Sequence, residues 1–267
     1  MTFRNPAAVI FDLDGTIYLG DELIVGAHTA VQQLYDAGMP VFFLSNNPTK
    51  TPTEYVHKLT KLGIAVHESQ VLTSGLIMAE WLASQTPIPR VYPIGEPALL
   101  ALLAQYHIPL SETPGAIDYV LASFDRTFAY AKLQIAFDAV RAGATLIATN
   151  PDKYCPVPGG GQPDAAALIA AICACADTTL AFTAGKPSQL AAHAVARRAG
   201  VPVAQCVMVG DRLETDVSMG DTGMRTALVM TGATTPALLA AWRGYQPDMV
   251  CRDVAEVVTQ LLAARTL

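Results

Sequence analysis

The chain has few charged and few aromatic residues for its length. Only 15% of its 267 residues are charged and 7% are aromatic, whereas 52% are hydrophobic. Acidic residues outnumber basic ones, 23 to 17, and no run of Lys and Arg occurs. Because a nucleic-acid-binding surface needs clustered positive charge, we expect no nucleic acid as a partner. The high hydrophobic fraction instead predicts a folded chain with a substantial core.

Long hydrophobic runs are also missing. The longest, Ala165 to Ala176, has 12 residues, which is too short to span a bilayer and predicts a buried helix. The first residues lead into a strand without the apolar segment of a signal peptide, so we expect no membrane partner. The five cysteines are odd in number and lack metal-ligand spacing, so we expect reduced thiols and a cytoplasmic location.

The common nucleotide-binding loops are absent as well. The sequence contains no Gly-x-Gly-x-x-Gly segment, and Gly185-Lys186-Pro187 lacks the Ser or Thr that ends a P-loop. A nucleotide-binding or scaffold protein on an α/β fold therefore remains an alternative that no motif supports.

Strand-like and helix-like segments alternate along almost the whole chain. Val41–Leu44, Val91–Ile94 and Cys206–Val209 are short apolar runs of the kind that forms buried strands, and longer helical patterns lie between such runs. This alternation is typical of α/β proteins. It predicts a Rossmann-like, doubly wound parallel sheet with helices on both faces.

The length of the chain favours a core with an inserted domain. The segment Thr86-Pro87-Ile88-Pro89 interrupts the alternation, which then restarts and leads into a Pro- and Gly-rich loop at 151–163. We therefore expect a core formed by residues 1–84 and 181–267, and a smaller inserted α/β domain at 85–180.

Two acidic residues follow the first predicted strand, Ala7–Ile10. They are Asp12 and Asp14 in Phe11-Asp12-Leu13-Asp14-Gly15-Thr16. Residues two positions apart in extended backbone point to the same side, and like charges at close range need a cation or a proton between them. The pair implies a metal, an acid/base pair or both. The alternative is an ordinary polar turn.

Polar residues also stand at the ends of three later segments. Ser45 and Asn46 follow the second predicted strand, Lys186 begins a helix, and Asp211 ends a strand shortly before Asp216. Each has a structural alternative, namely a turn cap, a solvated loop charge and a polar corner. Their recurrence at the ends of strands and loops favours one shared site, because ligands of α/β sheets bind there.

In this order, the four segments resemble the motifs of the haloacid dehalogenase superfamily of phosphohydrolases. The large insert and the segment Ala148-Thr149-Asn150-Pro151-Asp152 resemble the NagD-type subfamily, which carries a large C2-type cap. The resemblance implies a Mg²⁺-dependent phosphatase that hydrolyses small phosphorylated metabolites, sugar phosphates or related monoesters, through an aspartyl-phosphate. Nucleotides such as UMP, phosphoglycolate and pyridoxal phosphate are the alternative substrates.

The same resemblance implies a role for each motif residue. Asp12 would be the nucleophile and Asp14 the general acid and base. Mg²⁺, which prefers oxygen ligands, would bind to Asp12, Asp211 and the backbone carbonyl of Asp14. The phosphoryl oxygens would be held by Ser45, Asn46 and Lys186.

Two further residues would have supporting roles by this resemblance. Thr16 would support the first loop, and Asp216 would orient metal-bound water or Lys186. Asp216 also precedes a predicted helix, so helix capping is a competing role for it.

The resemblance implies that the insert covers the site and selects the substrate. Tyr154 and Cys155 match the loop that approaches the leaving group in relatives. Some vitamin-phosphate phosphatases carry His where this chain has Cys155, which argues against pyridoxal phosphate. We interpret Asp125 and Arg126 as a structural ion pair or turn. The Ala-rich helices of the insert could pack internally or form a homodimer.

A phospho-accepting receiver domain is the alternative from a different class. It would also combine an acidic pocket, a hydroxyl group and a lysine. The pair of aspartates at the first strand and the large insert argue against it.

Overall fold

The computed structural model describes residues 6–157 and 159–265, and over these ranges strands and helices alternate as predicted. The strands in chain order are β1 (Ala8–Phe11), β2 (Tyr18–Leu19), β3 (Glu22–Leu23), β4 (Val41–Ser45), β5 (Val71–Thr73), β6 (Val91–Ile94), β7 (Tyr119–Ala122), β8 (Thr145–Ala148), β9 (Tyr154–Val157), β10 (Gly160–Pro163), β11 (Cys206–Gly210), β12 (Arg225–Val229) and β13 (Met249–Cys251).

The helices account for the remaining regular structure. They are α1 (Ala27–Asp36), α2 (Pro52–Lys61), α3 (Ser74–Ala83), α4 (Pro97–Gln105), α5 (Tyr130–Arg141), α6 (Ala165–Ala176), α7 (Gln189–Ala199), α8 (Pro236–Ala241) and α9 (Val254–Arg265). Within the described ranges, no helix has the length and apolar character needed to cross a membrane.

The chain folds into two compact units. The first contains the described residues of Met1–Ser45, Pro52–Leu72 and Lys186–Leu267, and the second contains Asn46–Thr51 and Thr73–Gly185.

The first unit is built on a six-stranded sheet with the order β13-β12-β11-β1-β4-β5. The pairs β1–β4, β1–β11, β11–β12 and β12–β13 are parallel. From β1 the chain moves outward through β4 and β5 on one side, and through β11, β12 and β13 on the other. The strand order therefore reverses at β1, which is where such sheets bind ligands. The predicted doubly wound α/β fold is confirmed.

The central strand β1 is buried along its whole length, as expected for a parallel strand covered on both faces. On one face, Val9 and Phe11 pack in a cluster with Leu34 of α1 and Leu261 of α9. Asp12 therefore follows a strand that is packed into the core.

The second unit contains a three-stranded parallel sheet, β6-β7-β8, and an antiparallel hairpin, β9–β10. The hairpin occupies the segment predicted as a loop at 151–163, so that prediction is wrong. Its prolines and glycines are poor strand formers inside a sheet, but a two-stranded hairpin has an open edge on each strand that tolerates them.

Helix α3 lies in the second unit, whereas the sequence analysis placed it in the core at 1–84. The Trp81 ring of α3 makes edge contacts with Tyr119 and Phe182, at centroid distances of 5.6 and 4.7 Å. The helical pattern was visible in the sequence, but the sheet against which the helix packs was not. The predicted boundaries at 84 and 180 thus differ from the compact units at this helix, and they differ also at Asn46–Thr51 and at residues 181–185, which belong to the second unit.

Candidate active site

Two neighbouring strands deliver two carboxylates to one edge of the sheet. Asp12 directly follows β1, and its backbone N–H donates to the Val209 carbonyl of β11 at 2.8 Å. Asp211 directly follows β11. Both side chains are largely removed from solvent, with residue exposures of 9% for Asp12 and 2% for Asp211. The parallel pairing of β1 and β11 therefore brings together residues that are distant in the sequence.

Lys186 supplies positive charge to this edge. Its Nζ lies 2.5 Å from Asp12 Oδ1 and 2.6 Å from Asp216 Oδ1. The lysine is only 2% exposed. It stands just before α7, whose first turn is capped by the Ser188 side chain accepting from Ala191 N. A buried ammonium group is stable in this position because two carboxylates accept hydrogen bonds from it.

Asp216 contacts Lys186 rather than capping a helix. It precedes a short 3₁₀ helix, Val217–Thr222, without a side-chain cap hydrogen bond. Its Oδ2 accepts from Arg212 N at 3.0 Å. A Cβ at Gly210 would overlap the Asp216 carboxylate, so only glycine leaves room for it beside the end of β11. Of the two roles considered for Asp216, the geometry agrees with the orientation of Lys186.

The Asp211 carboxylate has one oxygen with a partner and one without. Oδ2 accepts from Ala233 N at 2.5 Å, and the backbone carbonyl accepts from Thr234 Oγ1 at 2.5 Å. Oδ1 is buried and has no hydrogen-bond partner among the residues described. A buried carboxylate oxygen without a donor is unfavourable unless a cation binds there.

Asp12, Asp211 and Asp216 form a group that could hold a metal ion. Each offers one oxygen, and these oxygens lie within 4.8 Å of one another. With Lys186 protonated, the formal charge is three negative and one positive, which leaves two negative charges. Oxygen ligands with this excess charge suit a hard divalent cation.

Burial is the main cause of the raised pKa values of the Asp12 and Asp211 carboxyl groups, and the neighbouring negative charges add to it. Burial raises the pKa of Asp12 well above its ordinary value. Lys186 opposes this rise, whereas the charges of Asp216 and Asp211 add to it. Burial and Asp216 likewise raise the pKa of Asp211 to about 6. Burial would lower the pKa of Lys186, but Asp12 and Asp216 outweigh it and the pKa lies above its ordinary value. Lys186 is therefore protonated at neutral pH.

Asp14 lies in the turn that follows Asp12. It is exposed, and Tyr18 OH is 3.5 Å from its Oδ2. Gly15 allows the turn with a φ of +87°, and its N–H donates to the Tyr18 carbonyl at 2.8 Å. Thr16 is fully buried, and its Oγ1 has no hydrogen-bond partner within the described part of the chain. An exposed carboxylate beside the buried ones is suited to exchanging protons with a leaving group or water.

Ser45 is the last residue of β4, the other neighbour of β1. Its side chain is buried, and its Oγ lies 3.1 Å from the hydroxyl of Tyr55 in α2. Our sequence analysis missed Tyr55. No sequence signal marks it, because it is one of several apolar-face residues of an amphipathic helix.

The other predicted site residues belong to the second unit. Asn46 is buried, and its carbonyl accepts from Ser74 Oγ at 2.6 Å. Tyr154 is 51% exposed, and its ring packs so closely on Gly161 that a Cβ there would lie 2.8 Å from Cδ2. Cys155 is half-buried, with Asn47 Nδ2 at 3.9 Å from its Sγ.

Asp125 and Arg126 each form a separate ion pair. Arg126 binds both carboxylate oxygens of Glu96 at 2.6 Å, and Asp125 accepts from Lys132 Nζ at 2.5 Å. Both contacts lie within the second unit and agree with a structural interpretation of these residues.

Residues 9–109 match the model of the haloacid dehalogenase-like hydrolases, and residues 183–257 match a HAD-hydrolase-like model. The chain is also 34% identical to the sugar-phosphatase AraL of Bacillus subtilis over 254 residues, which are 95% of this chain and 92% of that protein. The chain belongs to the haloacid dehalogenase-like hydrolase family. Within it, the protein is a NagD-type phosphatase, as the sequence motifs predicted, and the receiver-domain alternative is wrong.

Other relatives of this NagD-type phosphatase agree with that assignment. An acid sugar phosphatase of Staphylococcus aureus is 34% identical over 259 residues, with 97% of this chain and 99% of that protein covered. A 4-nitrophenylphosphatase from Thermotoga maritima superposes with a TM-score of 0.90 at 34% identity, covering 96% and 97% of the two chains. NagD from Escherichia coli K-12 superposes with a TM-score of 0.86 at 28% identity, and the match covers 96% of this chain and 98% of that chain.

Proposed function

We propose that this NagD-type phosphatase hydrolyses small phosphate monoesters, sugar phosphates among them, with Mg²⁺ as cofactor and Asp12 as nucleophile. The observation that carries the proposal is the position of Asp12. It directly follows the central strand, contacts Lys186 and shares its surroundings with two further buried carboxylates. This combination of a nucleophile, a cation and a metal-binding group is what phosphoryl transfer requires.

Mg²⁺ fits the residues present. Asp12 and Asp211 would bind it through carboxylate oxygens, with the Asp14 carbonyl as a further ligand, and the buried Oδ1 of Asp211 supports this set. When bound, the ion supplies the missing positive charge, which keeps Asp12 ionised and offsets the charge of the phosphoryl group. Because Asp216 already accepts from Lys186 and from Arg212 N, we assign it to orienting Lys186.

The reaction would proceed in two steps at Asp12. In the first, its carboxylate oxygen bonds to phosphorus, the ester P–O bond breaks, and Asp14 donates a proton to the leaving oxygen. In the second, Asp14 takes a proton from water, the water oxygen bonds to phosphorus, and the bond to Asp12 breaks to release inorganic phosphate. Ser45, Asn46 and Lys186 would hold the phosphoryl oxygens throughout.

Sugar phosphates are the favoured substrates because two of the relatives are named sugar phosphatases. Nucleotides, phosphoglycolate and pyridoxal phosphate are the alternatives. We propose Tyr154 and Cys155 as residues that influence this choice, since Tyr154 presents a half-exposed aromatic ring on a hairpin. A homodimer formed through the inserted domain and a cytoplasmic location also remain predictions.

Hydrolysis of 4-nitrophenyl phosphate tests the proposed chemistry. We expect turnover with Mg²⁺, loss with a chelator and recovery when Mg²⁺ is restored. Asp12→Asn should lower kcat by at least about 1,000-fold. Asp36→Asn, which makes the same change at an exposed position in α1, should leave kcat unchanged. Metal-dependent turnover by a pure Asp12→Asn protein would contradict the proposal.

A panel of sugar phosphates, nucleotides, phosphoglycolate and pyridoxal phosphate, ranked by kcat/KM, tests the substrate class. If Tyr154 and Cys155 influence the choice, Tyr154→Ala and Cys155→Ala should reorder the ranking. Tyr130→Ala is the matched control, because this tyrosine lies in the same unit and is 79% exposed. A ranking that stays the same in the first two variants would rule out their role.

A further inference from the structure

Tyr55 places a buried hydroxyl group next to a residue of the proposed site. It lies in α2 and is 1% exposed, and with Leu59, one turn later, it faces the core. Its phenol oxygen is 3.1 Å from Ser45 Oγ, a normal distance for a hydrogen bond between hydroxyl groups that are both buried. The proposed reaction gives Tyr55 no role, so its hydroxyl needs an explanation.

The direction of this hydrogen bond depends on what Ser45 does. A serine hydroxyl has one proton to donate and can also accept. If Ser45 donates its proton to a phosphoryl oxygen, it cannot donate to Tyr55 at the same time. For the contact between the two hydroxyl groups to stay a hydrogen bond, the phenol is then the donor and Ser45 Oγ the acceptor. A hydrogen bond received in this way also polarises the serine hydroxyl and strengthens its bond to an anion.

We infer that Tyr55 is a positioning residue for phosphate binding. It donates to Ser45 Oγ and thereby directs the Ser45 proton toward the phosphoryl oxygen. This inference rests on the proposed phosphate-binding role of Ser45. By this inference, helix α2 contributes to binding of the phosphoryl group, in addition to the residues at the ends of the sheet strands.

The other buried tyrosine near the site, Tyr18, has different surroundings. Its hydroxyl is close to Asp14, and Lys58 Nζ lies 3.6 Å from the centre of its ring. Lys58 also donates to the Gly20 carbonyl at 2.8 Å. Tyr18 is therefore tied to the turn that carries Asp14, whereas the hydroxyl of Tyr55 lies beside that of Ser45.

A double-mutant cycle between Tyr55 and Ser45 tests the inference. The variants are Tyr55→Phe, Ser45→Ala and the double variant, and the measured quantity is the inhibition constant of inorganic phosphate against 4-nitrophenyl phosphate. We expect Tyr55→Phe to raise it about three- to tenfold, the usual effect of one lost hydrogen bond. In the Ser45→Ala background, the same change should have a much smaller effect, because the Ser45 acceptor is already gone.

Tyr35→Phe is the matched control. It also removes a phenol hydroxyl from the first unit, one that donates to the Ala65 carbonyl at 3.0 Å. This variant should leave phosphate inhibition unchanged. The phosphate-induced rise in melting temperature provides a second measurement that needs no turnover, and it should shrink in Tyr55→Phe but not in Tyr35→Phe.

Several results would overturn the inference, and they distinguish a failure of Tyr55 from a failure of Ser45. If Ser45→Ala weakens phosphate binding but Tyr55→Phe does not, or if their effects simply add, Tyr55 has no positioning role. If Ser45→Ala itself leaves phosphate binding unchanged, the proposed role of Ser45 is wrong and the inference fails with it. A Tyr55→Phe variant with a lower kcat but an unchanged inhibition constant of phosphate would also contradict a role in binding.

Discussion

Lys186 Nζ lies 2.5 Å from Asp12 Oδ1, and this buried contact joins residues that are 174 positions apart in the sequence. The same ammonium group is 2.6 Å from Asp216. One lysine therefore offsets part of the charge of a buried cluster that also contains Asp211. Because the cluster carries excess negative charge, we expect cations to affect both its stability and the activity of the protein.

Replacement of Lys186 should affect stability and activity together. Without added metal, Lys186→Met should lower the free energy of unfolding by about 3 kcal/mol, because breaking a buried ion pair leaves uncompensated charge. Added Mg²⁺ should restore part of the stability but not the activity. Urea denaturation with and without Mg²⁺ measures this, and Lys61→Met, at an exposed position in α2, is the control. Equal stability of Lys186→Met and wild type without metal would refute the expectation.

Gly15 should be needed for the geometry of Asp211. Its φ is +87°, and a Cβ there would lie 2.6 Å from Asp211 Oδ2. Gly20 has a φ of +59° but no atom within 4 Å of a Cβ, so Gly20→Ala reproduces the backbone strain without the clash. Both substitutions should destabilise the protein by about 1 kcal/mol or more.

The two glycine variants should differ in their metal dependence. Only Gly15→Ala should raise the Mg²⁺ concentration needed for half-maximal activity, by about tenfold, because it displaces a proposed ligand. A Mg²⁺ titration of 4-nitrophenyl phosphate hydrolysis measures this. An equal shift in Gly20→Ala would mean that strain alone is responsible.

Asp14→Asn should separate the two proposed steps. The 4-nitrophenolate leaving group does not need a proton, so the first step should continue while the second, which needs a base, slows. We expect rapid release of one 4-nitrophenolate per active site, followed by slow turnover. Intact-protein mass spectrometry should detect the added phosphoryl group. With a sugar phosphate, the leaving group needs a proton from Asp14. The variant should therefore show no rapid initial release of the sugar. A steady rate without this initial phase for 4-nitrophenyl phosphate would count against Asp14 as the base.

Asp125 should make a pH-dependent contribution to stability. Burial acts to raise its pKa, but hydrogen bonds from Lys132 and Thr127 outweigh this, so the pKa lies below its ordinary value of 3.8. A carboxylate with a lowered folded-state pKa contributes stability above its unfolded-state pKa and loses it as the pH falls through the folded-state value. Asp125→Asn should thus cost about 1–3 kcal/mol at neutral pH and progressively less below about pH 4.

Urea denaturation of wild type and Asp125→Asn between pH 3 and 7 measures this difference. The control variant Asp138→Asn, at another position in the same unit, should differ much less from wild type in its free energy of unfolding. A cost that stays constant over the whole pH range would mean that the charge of Asp125 does not contribute.

The sequence predicted the fold class because local patterns carry that information. Apolar runs such as Val91–Ile94 form strands where expected. Short or irregular elements, namely β2, β3, β13 and α8, were missed because two to six residues show no clear period.

By itself, the sequence determined which residue types stand at the ends of the strands, and its motifs were sufficient to identify the family. Only the tertiary structure decided that Asp216 contacts Lys186 instead of capping a helix, that α3 packs in the second unit, and that Tyr55 reaches Ser45. The physical reason is the separation along the chain of the residues that interact. Periodicity and turn chemistry act between near neighbours in the chain, whereas these contacts depend on side chains that meet only when strands pair and helices pack.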